Sequence, residues 1–209
     1  MTVENNQGEE FVELMSQRRS HPRVEEPAPS DDLMQDIFAA SLRAPDHMHL
    51  RPWRFLVIRG DDRQYLADLF VKDCQEKNCD ADSATLEGAK KKAYRAPLIV
   101  VGITSYKSHD KVPEIEQALA TGGVLNNIGM AIYAHGFGSV WRTGGYASSS
   151  VVKEGLGVSS TEEIVGYLYI GTPTNADRPI KPIEASDFFM AWPEKYKSNE
   201  PLDRVERDY

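Results

Sequence analysis

Runs of apolar and polar residues divide the chain into predicted strands and the helices between them. Helical spacing of apolar residues predicts helices over residues 9–17, 30–43, 61–78, 81–94, 113–135 and 151–156. β-branched and aromatic runs predict strands over residues 53–59, 96–103, 138–144 and 163–173. The run 96–103 is apolar throughout, which is typical of a strand covered on both faces. Four strands that alternate with helices predict a three-layer α/β or α+β domain.

The helix predicted over residues 113–135 has an unusual number of small residues on an otherwise apolar surface. Glycine inside a helix costs about 1 kcal/mol relative to alanine, and Gly122, Gly123 and Gly129 all fall inside this one. Such glycines indicate that something bulky or flat approaches the helix backbone. The sequence leaves open whether this is another helix, a cofactor ring, a partner subunit or only an ordinary core contact. Gly136 and Gly138 are expected to end the helix before the next strand.

Length and charge exclude several classes of protein. The chain has 209 residues, which favours one domain, and a formal net charge of −8, which argues against a nucleic-acid or anionic-membrane binder. No apolar run reaches the roughly 20 residues of a membrane span. The first residues are polar and acidic, so they do not resemble a signal peptide, and we expect a cytoplasmic protein. The two cysteines, Cys74 and Cys79, do not form a CxxC pair, and no metal site is predicted.

Two polar segments are candidates for ligand contacts. Arg18-Arg19-Ser20 precedes a proline and lies where a helix ends. Two guanidinium groups and a hydroxyl suit a phosphate, although arginines at a helix end also complement the helix dipole. The second segment is the loop 44–52, which carries His47, His49 and Arg51 just before a buried strand. Its histidines favour hydrogen bonds to a ligand or plain exposure over a metal site, because no second ligand cluster has suitable spacing.

The two ends of the chain are expected to lie outside the regular fold. Residues 1–8 are predicted to be disordered, and the folded domain is predicted to span residues 9–192. Residues 174–192 contain no long element but include the apolar group 188–192, which we interpret as an anchor within an extended arm. Residues 193–209 are predicted to form a solvated tail, to which the sequence assigns no role.

Four motifs in order resemble the nitroreductase family, most closely its short, YdjA-like branch. They are Arg18-Arg19-Ser20, the segment 43–55, the segment 136–144 that contains Trp141-Arg142-Thr143, and the strand 164–173. The chain contains neither GxGxxG nor GxxxxGK[ST], so any phosphorylated cofactor would have to be held by arginines and hydroxyls. The resemblance implies an α+β fold with a central, mostly antiparallel sheet flanked by helices. It also implies an intertwined homodimer with two equivalent FMN sites at the subunit interface.

The same resemblance suggests roles for particular residues. Its FMN contacts carry over to Arg18, Arg19 and Ser20 near the phosphate, to Arg43 and His47 reaching the cofactor of the partner subunit, and to Trp141, Arg142 and Thr143. NAD(P)H is expected near Ala131, Ile132, Tyr133, Ala134, His135 and Gly136. Thr143 stands where the family has serine and keeps the hydroxyl. Arg51 stands where many relatives have glutamine, and this cation leaves the substrate class open.

The chemistry implied by the resemblance is reduction of nitroaromatic or quinone-like acceptors by NAD(P)H. Hydride would pass through the flavin N5 in a ping-pong sequence, so no catalytic residue is expected from the protein itself, which supplies placement and electrostatics. An alternative is a flavin-binding or storage protein without turnover.

Overall fold

The computed structural model describes residues 6–175 and 179–192. Its strands are β1 (Val24–Glu25), β2 (Trp53–Arg59), β3 (Leu98–Ser105), β4 (Gly138–Arg142) and β5 (Glu162–Pro173). Its α-helices are α1 (Asn6–Gln17), α2 (Asp31–Ser41), α3 (Arg63–Lys77), α4 (Ser83–Lys91), α5 (Glu114–Ala134), α6 (Gly144–Ala147) and α7 (Ser150–Gly155). Short 3-10 turns lie at Gly60–Asp62, Lys92–Tyr94 and, in the loop before β2, His47–His49.

All strand pairs among the described residues are antiparallel, and β5 pairs with three of the other strands. Along one edge β5 pairs with β3, which in turn pairs with β2. Along its other edge β5 pairs first with β4 and then, at its end, with β1. The predicted α+β class with a mostly antiparallel sheet is therefore confirmed.

Strand β3 is buried on both faces, as its unbroken apolar run predicts. Successive residues of a strand point to opposite sides, so Ile99 joins one core cluster and Val100 the other. The first cluster includes residues of α3 and α7, and the second includes residues of α2 and α5. The sheet is thus a central layer with helices packed on each face.

Local capping signals account for where several helices begin. The hydroxyl of Ser30, where the second helix was predicted to begin, accepts a hydrogen bond from the backbone N–H of Leu33 at 3.3 Å and is the N-cap of α2. Asp82 and Ser149 cap α4 and α7 in the same way. Pro113 was expected at the first helical position, but it is the N-cap residue of α5.

Other boundaries differ from the predictions in instructive ways. Residues 6–8 were expected to be disordered but lie in the first turn of α1, while residues 1–5 lie outside the described part. The helix predicted over 81–94 changes to a 3-10 turn after Lys91. Strand β1 and helix α6 were not predicted, because two and four residues are too few to show a period.

The carboxyl-terminal part is a separate unit from residue 177 onward. In residues 179–192 the regular structure is a 3-10 turn at Ala185–Asp187, consistent with the absence of a long predicted element. The predicted anchor role of residues 188–192 stays a prediction, and the predicted tail 193–209 lies outside the described residues. A search of the described residues finds no helix long and apolar enough to cross a membrane. Nor does it find a group of three or more His, Cys, Asp or Glu side chains suited to a metal ion.

Candidate functional site

The fold brings the Arg18-Arg19-Ser20 segment beside strand β4. Helix α1 ends at Gln17, and the chain then turns so that the backbone N–H of His21 donates to Ser139 O at 2.8 Å. Gly138 allows this approach, since a Cβ there would lie 2.8 Å from the Cβ of His21. Two of the predicted motifs, far apart in sequence, are therefore neighbours in space.

The side chain of Trp141 lies next to two glycines, one in β5 and one in α5. A Cβ on Gly166 of β5 would lie 2.0 Å from Trp141 Nε1, so the indole occupies the space that a side chain would need. On the other side, a Cβ on Gly122 of α5 would lie 3.4 Å from the indole ring. The indole Nε1–H donates to Val165 O at 3.4 Å. Gly122, singled out in the sequence because it is costly in a helix, thus faces the edge of the indole at a distance where a Cβ would make ordinary van der Waals contact.

The guanidinium of Arg142 has a hydrogen-bond donor that no described residue satisfies. Its Cζ lies 6.0 Å from the centre of the Tyr169 ring, and its Nε is buried with no hydrogen-bond partner among the described residues. Burial raises the pKa of Tyr169 to about 12, with the positive charges of Arg95 and Arg142 opposing the shift. Because buried polar atoms are nearly always paired in proteins, this nitrogen indicates a missing acceptor. Thr143, which follows, is exposed.

Arg43 and His47 lie on a different part of the molecule, where α2 meets α5. A Cβ on Gly123 would lie 3.3 Å from Ala44 Cβ, and Asn127 Nδ2 donates to Ser41 O at 3.2 Å. His47 Nδ1 lies 2.7 Å from Glu116 Oε2 in the first turn of α5. The side chain of Arg43 projects from this same junction and is exposed.

Helix α5 therefore separates the predicted cofactor residues into two groups. Gly122 and Gly129 face β4, where Trp141 and Ser139 lie. The positions that contact the α2 side are Glu116, Gly123 and Asn127. With 3.6 residues per turn, these two faces are about 130° apart around the helix axis. Within one chain, Arg43 and His47 belong to one group and Arg18-Arg19-Ser20 with Trp141-Arg142 to the other.

The segment predicted to meet NAD(P)H forms the last turn of α5 and the turn after it. Ile132 is fully buried in the core, so its side chain is not available to a ligand. Ala134, His135 and Gly136 are exposed, and Gly136 has a φ of +78°, which suits glycine at a helix end. The ring of Tyr133 stacks with that of His21 at 6.3 Å, which places this turn near the Arg18-Arg19-Ser20 segment.

The loop 46–51 has a conformation that the sequence does not predict. Met48, His49 and Arg51 have φ values of 60°, 53° and 47°, which non-glycine residues seldom adopt. The Arg51 backbone N–H donates to Asp46 Oδ2 at 2.7 Å and closes the loop on itself. Sequence reasoning also missed Glu116, because an acid in the first turn of a helix is ordinarily a dipole contact.

A cleft of about 520 Å³ opens beside the amino end of α5. Its lining comes from Tyr106–His109, Val112–Glu114, Gln117, Ser160, Thr161 and Glu163. None of the residues predicted to bind a cofactor lines it, and it carries no part of the site described above.

Comparison with known proteins places this geometry in a family. The family model described as "Nitroreductase family" matches residues 15–172. The chain is 37% identical over 162 residues to the Escherichia coli K12 protein named "Putative NAD(P)H nitroreductase YdjA", covering 78% of this chain and 87% of that one. It is 29% identical over 177 residues to a similarly named protein of Haemophilus influenzae, covering 84% and 95% of the two chains.

Solved structures show the same fold at low sequence identity. A nitroreductase-like protein from Bacillus cereus has a TM-score of 0.77 at 22% identity, covering 87% of this chain and 95% of that one. A Desulfovibrio desulfuricans protein described as "a putative nitroreductase in complex with fmn" has a TM-score of 0.68 at 20% identity, covering 87% of this chain and 96% of that one. The family model covers most of the chain and the motifs meet as described, so this protein belongs to the nitroreductase family.

Proposed function

We propose that this protein is an FMN-dependent oxidoreductase that works as a homodimer and uses NAD(P)H to reduce nitroaromatic or quinone-like acceptors. Family membership supports an oxidoreductase. The name of the Escherichia coli relative supports NAD(P)H as the reductant, and the FMN complex from Desulfovibrio desulfuricans supports the cofactor. The observation in this chain that carries the proposal is the buried Nε of Arg142, which has no hydrogen-bond partner among the described residues. Arg142 ends strand β4, and the Arg18-Arg19-Ser20 segment adjoins the beginning of the same strand through His21.

The residues present fit a flat cofactor with a phosphate tail. Arg18 and Ser20 are exposed at the end of α1, where a guanidinium and a hydroxyl can bind phosphate oxygens. The guanidinium of Arg19 already donates to Gln17 O at 3.1 Å, so we assign it a smaller share of that contact. Trp141, Arg142 and Thr143 would hold the ring end. Arg43 and His47 would reach the cofactor from the second subunit.

When bound, FMN would supply the redox chemistry, which is hydride transfer from NAD(P)H to the acceptor in a ping-pong sequence. The guanidinium of Arg142 supplies fixed positive charge in a partly buried place, where it stabilises negative charge more strongly than in water. The indole of Trp141 closes the space over Gly166 and keeps water from that side. No described carboxylate or histidine is required as a general base.

Exposed apolar side chains support the homodimer. Helix α1 has no buried residue in the single chain, and its apolar side chains Phe11 and Met15 are each more than half exposed. In α5, Ile115 and Leu119 are exposed on one face, four residues apart. Exposed apolar groups of this size usually mark an interaction surface. We propose that a second copy covers them and that its Arg43 and His47 reach the site of the first.

The direct test is to purify the protein and measure flavin absorbance, FMN affinity and oligomeric state. We expect a yellow dimer that binds FMN and is bleached by NADH or NADPH without oxygen. The variants Arg18→Ala and Arg142→Ala should each weaken FMN binding by about 1.5–3 kcal/mol, the value of a charge-assisted hydrogen bond. Lys91→Ala, which removes a positive charge from the exposed end of α4, serves as the matched control and should leave FMN affinity unchanged.

The outcomes separate the proposal from its alternatives. A protein that stays colourless with added FMN contradicts the cofactor assignment. Flavin that binds but stays oxidised with both nicotinamides supports the storage alternative. If the double variant at Arg18 and Arg142 binds FMN like the wild type, the assigned residues are wrong while the family stands.

The acceptor class can be tested through Arg51. This cation is exposed, and its backbone is fixed by the bond to Asp46. A screen of nitroaromatics and quinones with and without a carboxylate or sulfonate group would show whether turnover favours anions. Arg51→Gln restores the residue that many relatives carry, and it should reduce any preference for anionic acceptors while FMN stays bound.

A further inference from the structure

The strained loop 46–51 is tied to the rest of the protein at three places. Lys107 Nζ donates to Leu50 O, and Pro52 O accepts from the backbone N–H of Ser105 at 2.9 Å. The third tie joins His47 to Glu116. Left-handed backbone at non-glycine residues costs free energy, and such residues persist only where the surroundings fix them. The ties therefore keep the loop in a conformation that it would not hold in isolation.

The His47–Glu116 tie differs from the other two because it fixes a side chain and not the backbone. Nδ1 of His47 lies 2.7 Å from Glu116 Oε2, and the side chains are 48% and 43% exposed. A contact this exposed contributes little to stability, about 0–1 kcal/mol even between charged groups. Its main effect is on geometry. A carboxylate only accepts hydrogen bonds, so the proton must be on Nδ1, and the Nε2 edge of the ring is left for another partner.

We propose that Glu116 is a positioning residue that orients the imidazole of His47 for its contact with FMN. The inference rests on the proposed function, in which His47 reaches the cofactor of the second subunit. Nothing in the sequence motif marks Glu116, which acts only through His47. Carboxylates that orient a ligating histidine in metal sites have the same role, and their loss typically reduces affinity about 10- to 100-fold.

The structure offers variants that separate this role from general stabilisation. Glu116→Ala removes the acceptor, and Glu116→Gln keeps an acceptor oxygen without the charge. Glu114→Gln removes the same charge from the same exposed turn of α5, two residues away. Lys107→Met releases the backbone of the loop at Leu50 but leaves the His47–Glu116 contact in place.

The first measurement reports the imidazole directly and needs no cofactor. Nitrogen-15 NMR of the apo protein, at a pH where His47 is neutral, distinguishes protonation on Nδ1 from protonation on Nε2. We expect the Nδ1–H form in the wild type and in Glu116→Gln, Glu114→Gln and Lys107→Met. In Glu116→Ala we expect a mixture of both forms. A wild-type distribution of tautomers in Glu116→Ala would overturn the inference.

The second measurement is FMN affinity by titration. Glu116→Ala should weaken FMN binding about tenfold, Glu116→Gln should recover most of that loss, and Glu114→Gln should match the wild type. Altered tautomers with unchanged FMN affinity would overturn the inference while leaving the proposed function intact. A wild-type protein that takes up no FMN would contradict the proposed function itself, and with it any positioning role toward FMN, whatever the tautomers show.

Discussion

Strand β3 and the loop 46–51 show two different ways in which this chain fixes a conformation. Residues 98–104 of β3 are buried, apolar apart from Thr104, and paired to strands on both sides. The loop is largely exposed, polar, and holds three residues at positive φ through individual contacts. In the strand, burial and pairing agree with local preference except at Gly102, where the pairing with β5 is irregular. In the loop, specific bonds overcome local preference, which is the usual condition of a functional segment.

From this difference we expect that the strand mainly determines the free energy of unfolding, while the loop and its surroundings mainly determine ligand affinity. Changes in the core should lower the free energy of unfolding and leave ligand affinity nearly unchanged in molecules that remain folded. Changes around the site should lower ligand affinity and leave the free energy of unfolding nearly unchanged. The following predictions test this division, from the largest expected change in stability to the smallest.

Ile99→Ala should cause the largest loss of stability. Ile99 is fully buried in the cluster shared with α3 and α7, and removing its side chain leaves a cavity. The expected loss is about 2–5 kcal/mol in the free energy of unfolding, measured by denaturant titration. Val57→Ala on the neighbouring strand is the control, because Val57 is exposed and should lose far less. If the free energy of FMN binding fell as much as the free energy of unfolding, the expected separation between stability and binding would be wrong.

Glu162→Gln should lower stability by about 1.5–3 kcal/mol near neutral pH. Arg54 donates to both carboxylate oxygens at 2.7 and 2.8 Å, and Ser105 and Ser159 donate as well. The bond from Arg54, assisted by those from Ser105 and Ser159, holds the pKa of Glu162 well below its usual value, although burial opposes the shift.

The sign of the pH dependence follows from that lowered pKa. The carboxylate stabilises the fold fully above its unfolded-state pKa, near the ordinary value of 4.5, and this stabilisation is lost as the pH falls toward the folded-state pKa. Unfolding titrations between pH 7 and pH 3 should therefore show a steeper acid loss in the wild type than in Glu162→Gln. Parallel profiles would show that Glu162 is not responsible.

Gly166→Ala should displace Trp141 and affect binding more than stability. The added Cβ would lie 2.0 Å from the indole nitrogen, so the ring must move. We expect a stability loss of about 1–3 kcal/mol, altered tryptophan fluorescence and a larger loss of FMN affinity. Gly88→Ala in α4 is the matched control, since nothing lies within 4 Å of its added Cβ and alanine favours a helix. Unchanged fluorescence in Gly166→Ala would contradict the packing described here.

Met48→Gly should have the smallest effect and the opposite sign. Met48 is exposed at φ 60°, where glycine is free of strain, so the free energy of unfolding should rise by up to about 1 kcal/mol. Met48→Ala removes the same side chain but keeps the strain, and it should match the wild type. A loss of stability in Met48→Gly greater than that in Met48→Ala would mean that the loop is not strained.

The sequence alone determined the elements that have a clear period or a capping residue. Strand β2 begins and ends where its apolar pattern does, and Ser30 caps α2, because both features depend on near neighbours in the chain. The order of four motifs also identified the family, which the family model confirms. The individual contacts to FMN and NAD(P)H stay predictions.

Only the tertiary structure decided what those residues contact. The absence of a side chain at Gly166 is explained by Trp141, whose indole occupies the space that a Cβ would need and lies there because β4 pairs with β5. The contact between His47 and Glu116 spans 69 positions, and a sequence pattern carries no information about such a pair. Periodicity records which face of an element is buried, whereas the partner of each side chain depends on how the elements pack against one another.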